Sequence, residues 1–337
     1  MEDYSGALKD YNKSIGIDTT NAKAYFGRGT AKLNLQDYHG AVADLTKSIR
    51  IYPGNALAYL SIGTAKRYLK DYEGAIVNLD KSIGIDPTSA LAYFGRGDAR
   101  LGINNYSGAV ADFSKSIEID STQADLYAAR GKAKRLLEDY IGAIADYNKL
   151  IEIDHRNANA YFIRSDTKSL INDLNGAMTD ANSGLEIDPK SAMGYLNRAN
   201  IKRKLFDFTG AIGDLNKSIE IDNRNANAYF SRGDSKAFLG DFTGAIDDFN
   251  KSIEIDSTHT EVYFGRGNAK SLLIDFSGAI RDFNKSIELD PANAGAYYLR
   301  GIAKISLGQK ESGCADLKKA DELGYAEAIY AITTYCQ

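Results

Sequence analysis

The sequence predicts an all-α fold, a solenoid of antiparallel helix pairs, from three observations. Tyrosines recur every 34 residues with no insertion or deletion: Tyr25, Tyr59, Tyr93, Tyr127, Tyr161, Tyr195, Tyr229, Tyr263 and Tyr297. Around each stands a variant of N-A-x-A-Y-F-x-R-G-x-A-K-x-x-L-x-D-Y-x-G-A-I-x-D-x-N-K-S-I-E-I-D-P, with apolar positions at helical spacing. One break falls inside each phrase, so each unit holds two helices. A fixed period in this range means units that pack only on their neighbours, and so one elongated domain.

The elements follow in chain order. Residues 1–20 match only the second helix of a unit, helix B: Asp3-Tyr4-Ser5-Gly6-Ala7 aligns with Asp37-Tyr38-His39-Gly40-Ala41. Its stripe Ala7, Tyr11 and Ile15 then lacks the helix A that would cover it. Such a face normally carries a cap, so a longer array or self-association through this face is expected. Nine units follow over residues 21–324, starting near 21, 55, 89, 123, 157, 191, 225, 259 and 293.

In the first unit, Ala24, Tyr25, Arg28, Gly29, Lys32 and Leu35 predict helix A from about 22 to 34. Asp37 suits the N-cap of helix B, because its carboxylate accepts from free backbone N–H groups. Ala41, Leu45, Ser48 and Ile49 form the buried stripe of B. Tyr52-Pro53-Gly54 closes the unit, since proline cannot continue a helix. Five units replace that proline, for example with Ser121 or Asn223, so the turn does not depend on it.

Small residues mark where A meets B: Gly29, Gly63, Gly97, Gly131, Ser165, Ala199, Gly233, Gly267 and Gly301 face Ala41 to Ala279 and then Gly313. A mid-helix glycine costs about 1 kcal/mol against alanine, and close backbone approach is the expected compensation. A second glycine series, Gly40, Gly74, Gly108 and onward, opens helix B, and the sequence alone gives no reason for it. Unit nine decays after Gly308. Residues 325–337 read as one capping helix with a Tyr/Ala/Ile face.

Composition narrows the function class. The 337 residues are 44% hydrophobic and 26% charged, with net charge -4. That balance gives no global pull toward nucleic acid or an anionic membrane, so neither is an expected partner. No apolar run approaches the roughly 20 residues that span a bilayer. No signal peptide precedes the pattern, which leaves the cytoplasm as the default expectation and the compartment otherwise open. Cys314 and Cys336 make no disulfide framework, although both lie at the C-terminal end and one bridge there stays open. His39, His155 and His259 are isolated, with no ligand spacing for a metal. No nucleophile–base arrangement is legible. The chain is therefore expected to be no enzyme and to need no cofactor.

Three short matches carry little. Arg96-Gly97-Asp98 and Arg232-Gly233-Asp234 lie mid-helix, and Gly27-Arg28-Gly29 follows no strand. Asn-Lys-Ser at 12, 216, 250 and 284 is a by-product of the repeat on helix B.

An early aromatic in helix A, glycine four residues later, alanine in helix B, an aromatic four after that and a closing proline together resemble the tetratricopeptide repeat (TPR) family. The resemblance covers essentially the whole chain, and its phrasing is similar to bacterial arrays. Two features depart from the commonest pattern: arginine precedes the helix A glycine, and Lys or Arg (Lys32 to Lys304) stands where tyrosine is usual. The arginine has an internal explanation. Sixteen residues after each stands an aspartate, giving Arg28–Asp44, Arg96–Asp112, Arg130–Asp146, Arg164–Asp180, Arg198–Asp214, Arg232–Asp248, Arg266–Asp282 and Arg300–Asp316. One unit has Ile62 and Asn78 instead. Both members vanish together, which predicts structural ion pairs between A and B.

The resemblance implies a right-handed superhelix with helix A lining a concave groove. The groove positions it implies include Phe26, Phe94, Phe162, Phe230, Phe264 and Tyr298, with Leu60, Ala128 and Leu196 between them. They also include Asp98, Asp166 and Asp234, and Arg67, Arg135 and Arg203, which give the chain a 68-residue super-period. Either these Arg and Asp rungs neutralise each other on adjacent A helices, or they stripe a groove shaped for an extended peptide. Aromatics occupy the place of the lysine by which some TPR modules grip a terminal carboxylate, so that activity is not carried over. The implied function is a non-catalytic scaffold that binds an extended peptide or partner protein. The alternative is a structural or assembly arm of a larger protein.

Overall fold

The computed structural model describes residues 4–337; Met1, Glu2 and Asp3, which the sequence aligns with the start of a helix B, lie outside the described residues. The chain divides into two compact units, Met1–Asn172 and Asp173–Gln337. The division falls in an A–B turn, and helices in such a stack contact near neighbours only.

In the first unit a lone helix B, α1 (Tyr4–Ile17), is followed by A/B pairs: α2 (Ala22–Asn34) with α3 (Tyr38–Ile51), α4 (Ala56–Tyr68) with α5 (Tyr72–Ile85), α6 (Ala90–Gly102) with α7 (Tyr106–Ile119), and α8 (Ala124–Leu136) with α9 (Tyr140–Ile153), then the A helix α10 (Ala158–Leu170). The second unit opens with the B helix α11 (Leu174–Ile187). The pairs α12 (Ala192–Lys204) and α13 (Phe208–Ile221), α14 (Ala226–Phe238) and α15 (Phe242–Ile255), α16 (Thr260–Leu272) and α17 (Phe276–Leu289), and α18 (Ala294–Ser306) and α19 (Lys310–Glu322) follow, and α20 (Glu327–Tyr335) ends it. All regular structure among the described residues is helical. Within each unit every helix packs on the next, and successive A helices also touch: α2 with α4, α4 with α6, and α6 with α8 in the first, α12 with α14, α14 with α16, and α16 with α18 in the second.

Local chemistry sets the ends. Asn21, Asn55, Ser89, Asn157, Ser191, Asn225 and Asn293 cap A helices by accepting from the third residue's N–H. Asp37 and its counterparts cap the B helices: Asp37 Oδ1 accepts from Gly40 N at 2.9 Å. The capping carboxylate explains the second glycine series, because a Cβ at Gly40 would lie 2.0 Å from Asp37 Oδ2. The A-to-B turn carries one left-handed residue, glycine at Gly240 and Gly308 but Gln36, Lys70, Asn104, Glu138, Asn172, Phe206 or Ile274 elsewhere.

The A–B contact is closed at the small residues. A Cβ on Gly131 would lie 2.6 Å from the ring of Tyr147, and one on Gly29 would lie 2.7 Å from Leu45. The alanines opposite, Ala41, Ala143, Ala211 and Ala279 among them, are fully buried. At the C-terminal end the two cysteines are joined: Cys314 on α19 bonds Cys336, which caps α20. Ala328 and Ala331 of α20 are buried, and Tyr325 stacks on Tyr298 with ring centroids 4.8 Å apart.

Candidate functional site

The recurring arginine builds a three-way clamp. Arg28 Nε and Nη2 donate to Asp44 at 2.7 and 2.6 Å, and Lys32 Nζ sits 2.8 Å from the other side of the same carboxylate. Arg and a second cation four residues later hold Asp112, Asp146, Asp214, Asp248, Asp282 and Asp316 in the same way. The Lys32 series is thereby accounted for: it supplies the second cation that a buried aspartate accepts. Where Ile62 and Asn78 replace the pair, Lys66 turns instead to the capping Asp71 at 2.9 Å, and Asn78 donates to Gly74 O. Arg164 and Asp180 lie one in each compact unit, and their pairing stays an expectation from the repeat.

The arginine's third nitrogen reaches backward. Arg28 Nη1 donates to Asn12, Arg232 to Asn216, Arg266 to Asn250 and Arg300 to Asn284, all between 2.6 and 2.8 Å. The asparagine of Asn-Lys-Ser is thus an inter-repeat acceptor. Its sequence signal was present: Asn to Arg is 16 residues, as is Arg to Asp. Each arginine also lies over its own helix's tyrosine, Arg28 5.5 Å from the Tyr25 ring centroid.

Electrostatics follow from the burial. Burial pushes Asp44 and Asp214 up, but hydrogen bonds and attraction from Arg28 with Lys32, and from Arg198 with Lys202, outweigh it and hold both carboxyls below the usual range. The bond to Asp44 raises Arg28, and the bond to Asp214 raises Arg198. Burial pushes the Tyr147 hydroxyl up to about 12.

On the A-helix side the expected rungs come together. Arg67 meets Asp98, Arg135 meets Asp166, and Arg203 meets Asp234, each pair joining adjacent A helices. One super-period further on, Ser271 and Ile302 replace both members. At two rungs that have no ion pair, the surface opens. In the first unit a cavity of about 230 Å³ lies at Leu101 and Lys132, walled by Tyr72, Tyr106 and Leu136. In the second unit a cavity of about 320 Å³ lies at Ala237 and Asn268, walled by Phe230, Phe238, Phe242, Phe249, Phe264 and Leu272, with Asp234 and Glu261 also lining it.

The aromatic series is less open than expected. Phe26, Phe94, Phe230 and Phe264 are half-buried and lean on their unit's core, with Phe94 5.8 Å from Phe113 and Phe230 6.0 Å from Phe249. Phe94 also lines a cavity of about 220 Å³ with Leu91 and Leu126. Phe162 is the most covered of the series, at 5% exposure. Tyr298 is covered by Tyr325. Glu261, Asn268 and Phe238 escaped the sequence reading because they vary between units.

The tetratricopeptide repeat family matches at residues 22–55, 56–89, 124–157, 226–259 and 294–323. The chain belongs to the tetratricopeptide repeat family. Solved TPR structures are similar to it. The APC/C hetero-tetramer Cut9-Hcn1 aligns at TM-score 0.60 and 16% identity, over 87% of this chain and 58% of that one. A tetratricopeptide repeat protein from Parabacteroides merdae aligns at 0.56 and 18%, over 71% and 95%. YrrB, described as a TPR protein with an unusual peptide-binding site, aligns at 0.49 and 22%, over 56% and 97%. At such identities the likeness is one of fold. No curated protein matches the chain. The TPR units support a protein–protein interaction scaffold, and a fold of this kind is generally non-catalytic.

Proposed function

We propose that this TPR chain is a non-catalytic scaffold that receives an extended peptide, or an extended segment of a partner protein, along the A-helix side of its stack. The observation that carries the reading is the cavity between α14 and α16. It is an aromatic-walled pocket of about 320 Å³, open at a rung, Ala237 and Asn268, where no ion pair closes the A helices together. Pockets of this size take one large apolar side chain, and aromatic anchors supply most of the energy of such contacts. The flanking Arg203–Asp234 pair sets register, because a partly exposed ion pair is worth little and is readily exchanged for contacts with a ligand.

Panning a displayed peptide library on the wild-type chain and on a Phe230→Ala/Phe264→Ala variant tests this. Peptides enriched by the wild type and lost by a variant of unchanged circular dichroism support the groove. Peptides retained equally by both place binding elsewhere and reject it.

A further inference from the structure

The pocket between α14 and α16 is aromatic but not neutral. Asp234 and Glu261 stand among its phenylalanine rings, and no lysine, arginine or histidine lines it. Arg203 already holds Asp234 through one carboxylate oxygen. Glu261 is exposed, and no base among the described residues forms an ion pair with it.

The register of the stack sets this carboxylate against a ring. An offset of 31 residues brings Arg67 to Asp98, Arg135 to Asp166 and Arg203 to Asp234 on adjacent A helices. The same offset relates Phe230 of α14 to Glu261 of α16, two helical turns before the Ala237 and Asn268 rung. The combination occurs once more, in the first unit. Phe94 of α6 and Asp125 of α8 share that offset and line the cavity of about 220 Å³, again with no base in its wall. Phe26, Phe162 and Phe264 have Leu57, Met193 and Gly295 at the matching position, so the repeat itself does not impose the acid.

Both acids also lie in the first turn of a helix whose N-cap makes no side-chain bond, α8 at Gln123 and α16 at His259. There they oppose the positive end of the helix. That role acts through the field and leaves the carboxylate oxygens free for a donor. An apolar group filling the α14–α16 pocket by itself would strip water from Glu261 and return nothing, and an unpaired charge is costly to bury. A basic residue beside the apolar anchor removes that cost. Its stem packs on the rings of Phe230 and Phe264, and its head donates to Glu261 within reach of a ring face. Arginine suits this better than lysine, because its guanidinium is planar, weakly hydrated and donates as a fork.

We infer that the peptide received between α14 and α16 carries a basic residue, arginine in preference to lysine, near its apolar anchor, and that Glu261 selects it. The inference rests on the groove reading and narrows its ligand to a basic-apolar peptide. Along the pocket wall Glu261 and Leu272 are separated by about 16 Å of helix. An extended chain covers that length in about five residues, so the basic residue and the anchor lie within about five positions of each other.

The test pans a random displayed peptide library on the wild-type chain, on Phe230→Ala/Phe264→Ala and on Glu261→Gln, and sequences what each enriches. Peptides that depend on the two rings should share an arginine or lysine near an aromatic or aliphatic residue. Glu261→Gln should keep the anchor and lose the basic residue. One such peptide, made synthetically, is then titrated by fluorescence anisotropy. Norleucine in place of its basic residue should weaken binding to the wild type about tenfold, the worth of one charge-assisted hydrogen bond, and leave binding to Glu261→Gln nearly unchanged. Ring-dependent peptides with no recurring basic residue overturn this inference and leave the groove standing. An equal loss on both chains also overturns it, because Glu261 then serves only its own helix. A library that yields no ring-dependent peptide rejects the groove and this inference together.

Discussion

Arg232 Nη1 donates to Asn216 Oδ1 at 2.8 Å across the boundary between one repeat and the next. The same guanidinium holds Asp248 inside its own repeat. One side chain therefore supplies both the intra-unit and the inter-unit terms that set the stability of a repeat array. Arg232→Ala should cost about 3–5 kcal/mol, because Asp248 is buried and loses its main partner. Asn216→Ala, at an exposed acceptor, should cost only about 1 kcal/mol. Urea melts of both single variants and of the Arg232→Ala/Asp248→Ala double variant check this. Simple additivity of the Arg and Asp effects would mean the two are not coupled.

Glycine replacement should change sign with position. Gly131→Ala drives a methyl into the buried Tyr147 ring and should destabilise by about 1–3 kcal/mol despite the better helix propensity. Gly213→Ala, in the middle of α13 with nothing near its added methyl, should stabilise by about 0.5–1 kcal/mol. Thermal melts of the two variants give the comparison, and equal shifts would contradict the close-approach account.

Ile274 holds the left-handed turn between α16 and α17 at φ 65 while 75% exposed. A β-branched residue there is strained. Ile274→Gly should raise stability by about 0.5–1 kcal/mol, the left-handed strain relieved less the entropy of the new glycine. A melt showing loss instead would mean the exposed side chain makes contacts of value.

Acid should loosen the clamps. Asp44 and Asp214 have lowered folded-state values, so the fold favours their charged forms. Their contribution is present above the ordinary carboxylate value near about 4 and is lost as pH falls through the lower folded one. Asp18, Asp86, Asp120 and Asp256, lowered by hydrogen bonds from threonines two residues on, act in the same direction. Urea midpoints should hold steady above about pH 5 and drop steeply toward pH 3. A flat profile would show that the pairs do not favour the ionised state.

Reduction should act locally. Cys314 and Cys336 are 22 residues apart, and closing a loop of this size is worth about 3 kcal/mol. A thiol reductant should speed amide exchange in α20 and leave α12 to α17 protected. Exchange unchanged in α20 would mean that Ala328, Ala331 and Tyr325 hold it without the bridge.

Much of the frame was legible because it is written repeatedly. The bounds of α2, the Asp37 cap and the Arg–Asp spacing each follow from a pattern with many internal copies, and the joint loss at Ile62 and Asn78 acted as a control. Lys32 was read as a departure from the family, because nothing in one helix reveals that a neighbour's aspartate takes two cations. The bridge between Cys314 and Cys336 lies outside the repeat and had no second copy to betray it. Of the groove, the Arg and Asp rungs were visible as a super-period. The cavities were not, since they occur where the pattern is missing and are shaped by residues such as Phe238 that occur once.

The rungs also constrain how such an array can change its length. The Arg–Asp–Lys clamps close inside single units, so excision of one whole unit would strand none of them. The ladder across A helices behaves otherwise. Cutting out residues 89–122 would bring Arg67 opposite Lys132, two like charges, whereas cutting out 89–156 would bring it opposite Asp166. Between Arg67 and Asp234, segments encoding two repeats at a time can be dropped with the rungs still matched, and those encoding one leave a rung mismatched, so the heritable module of that stretch is the pair.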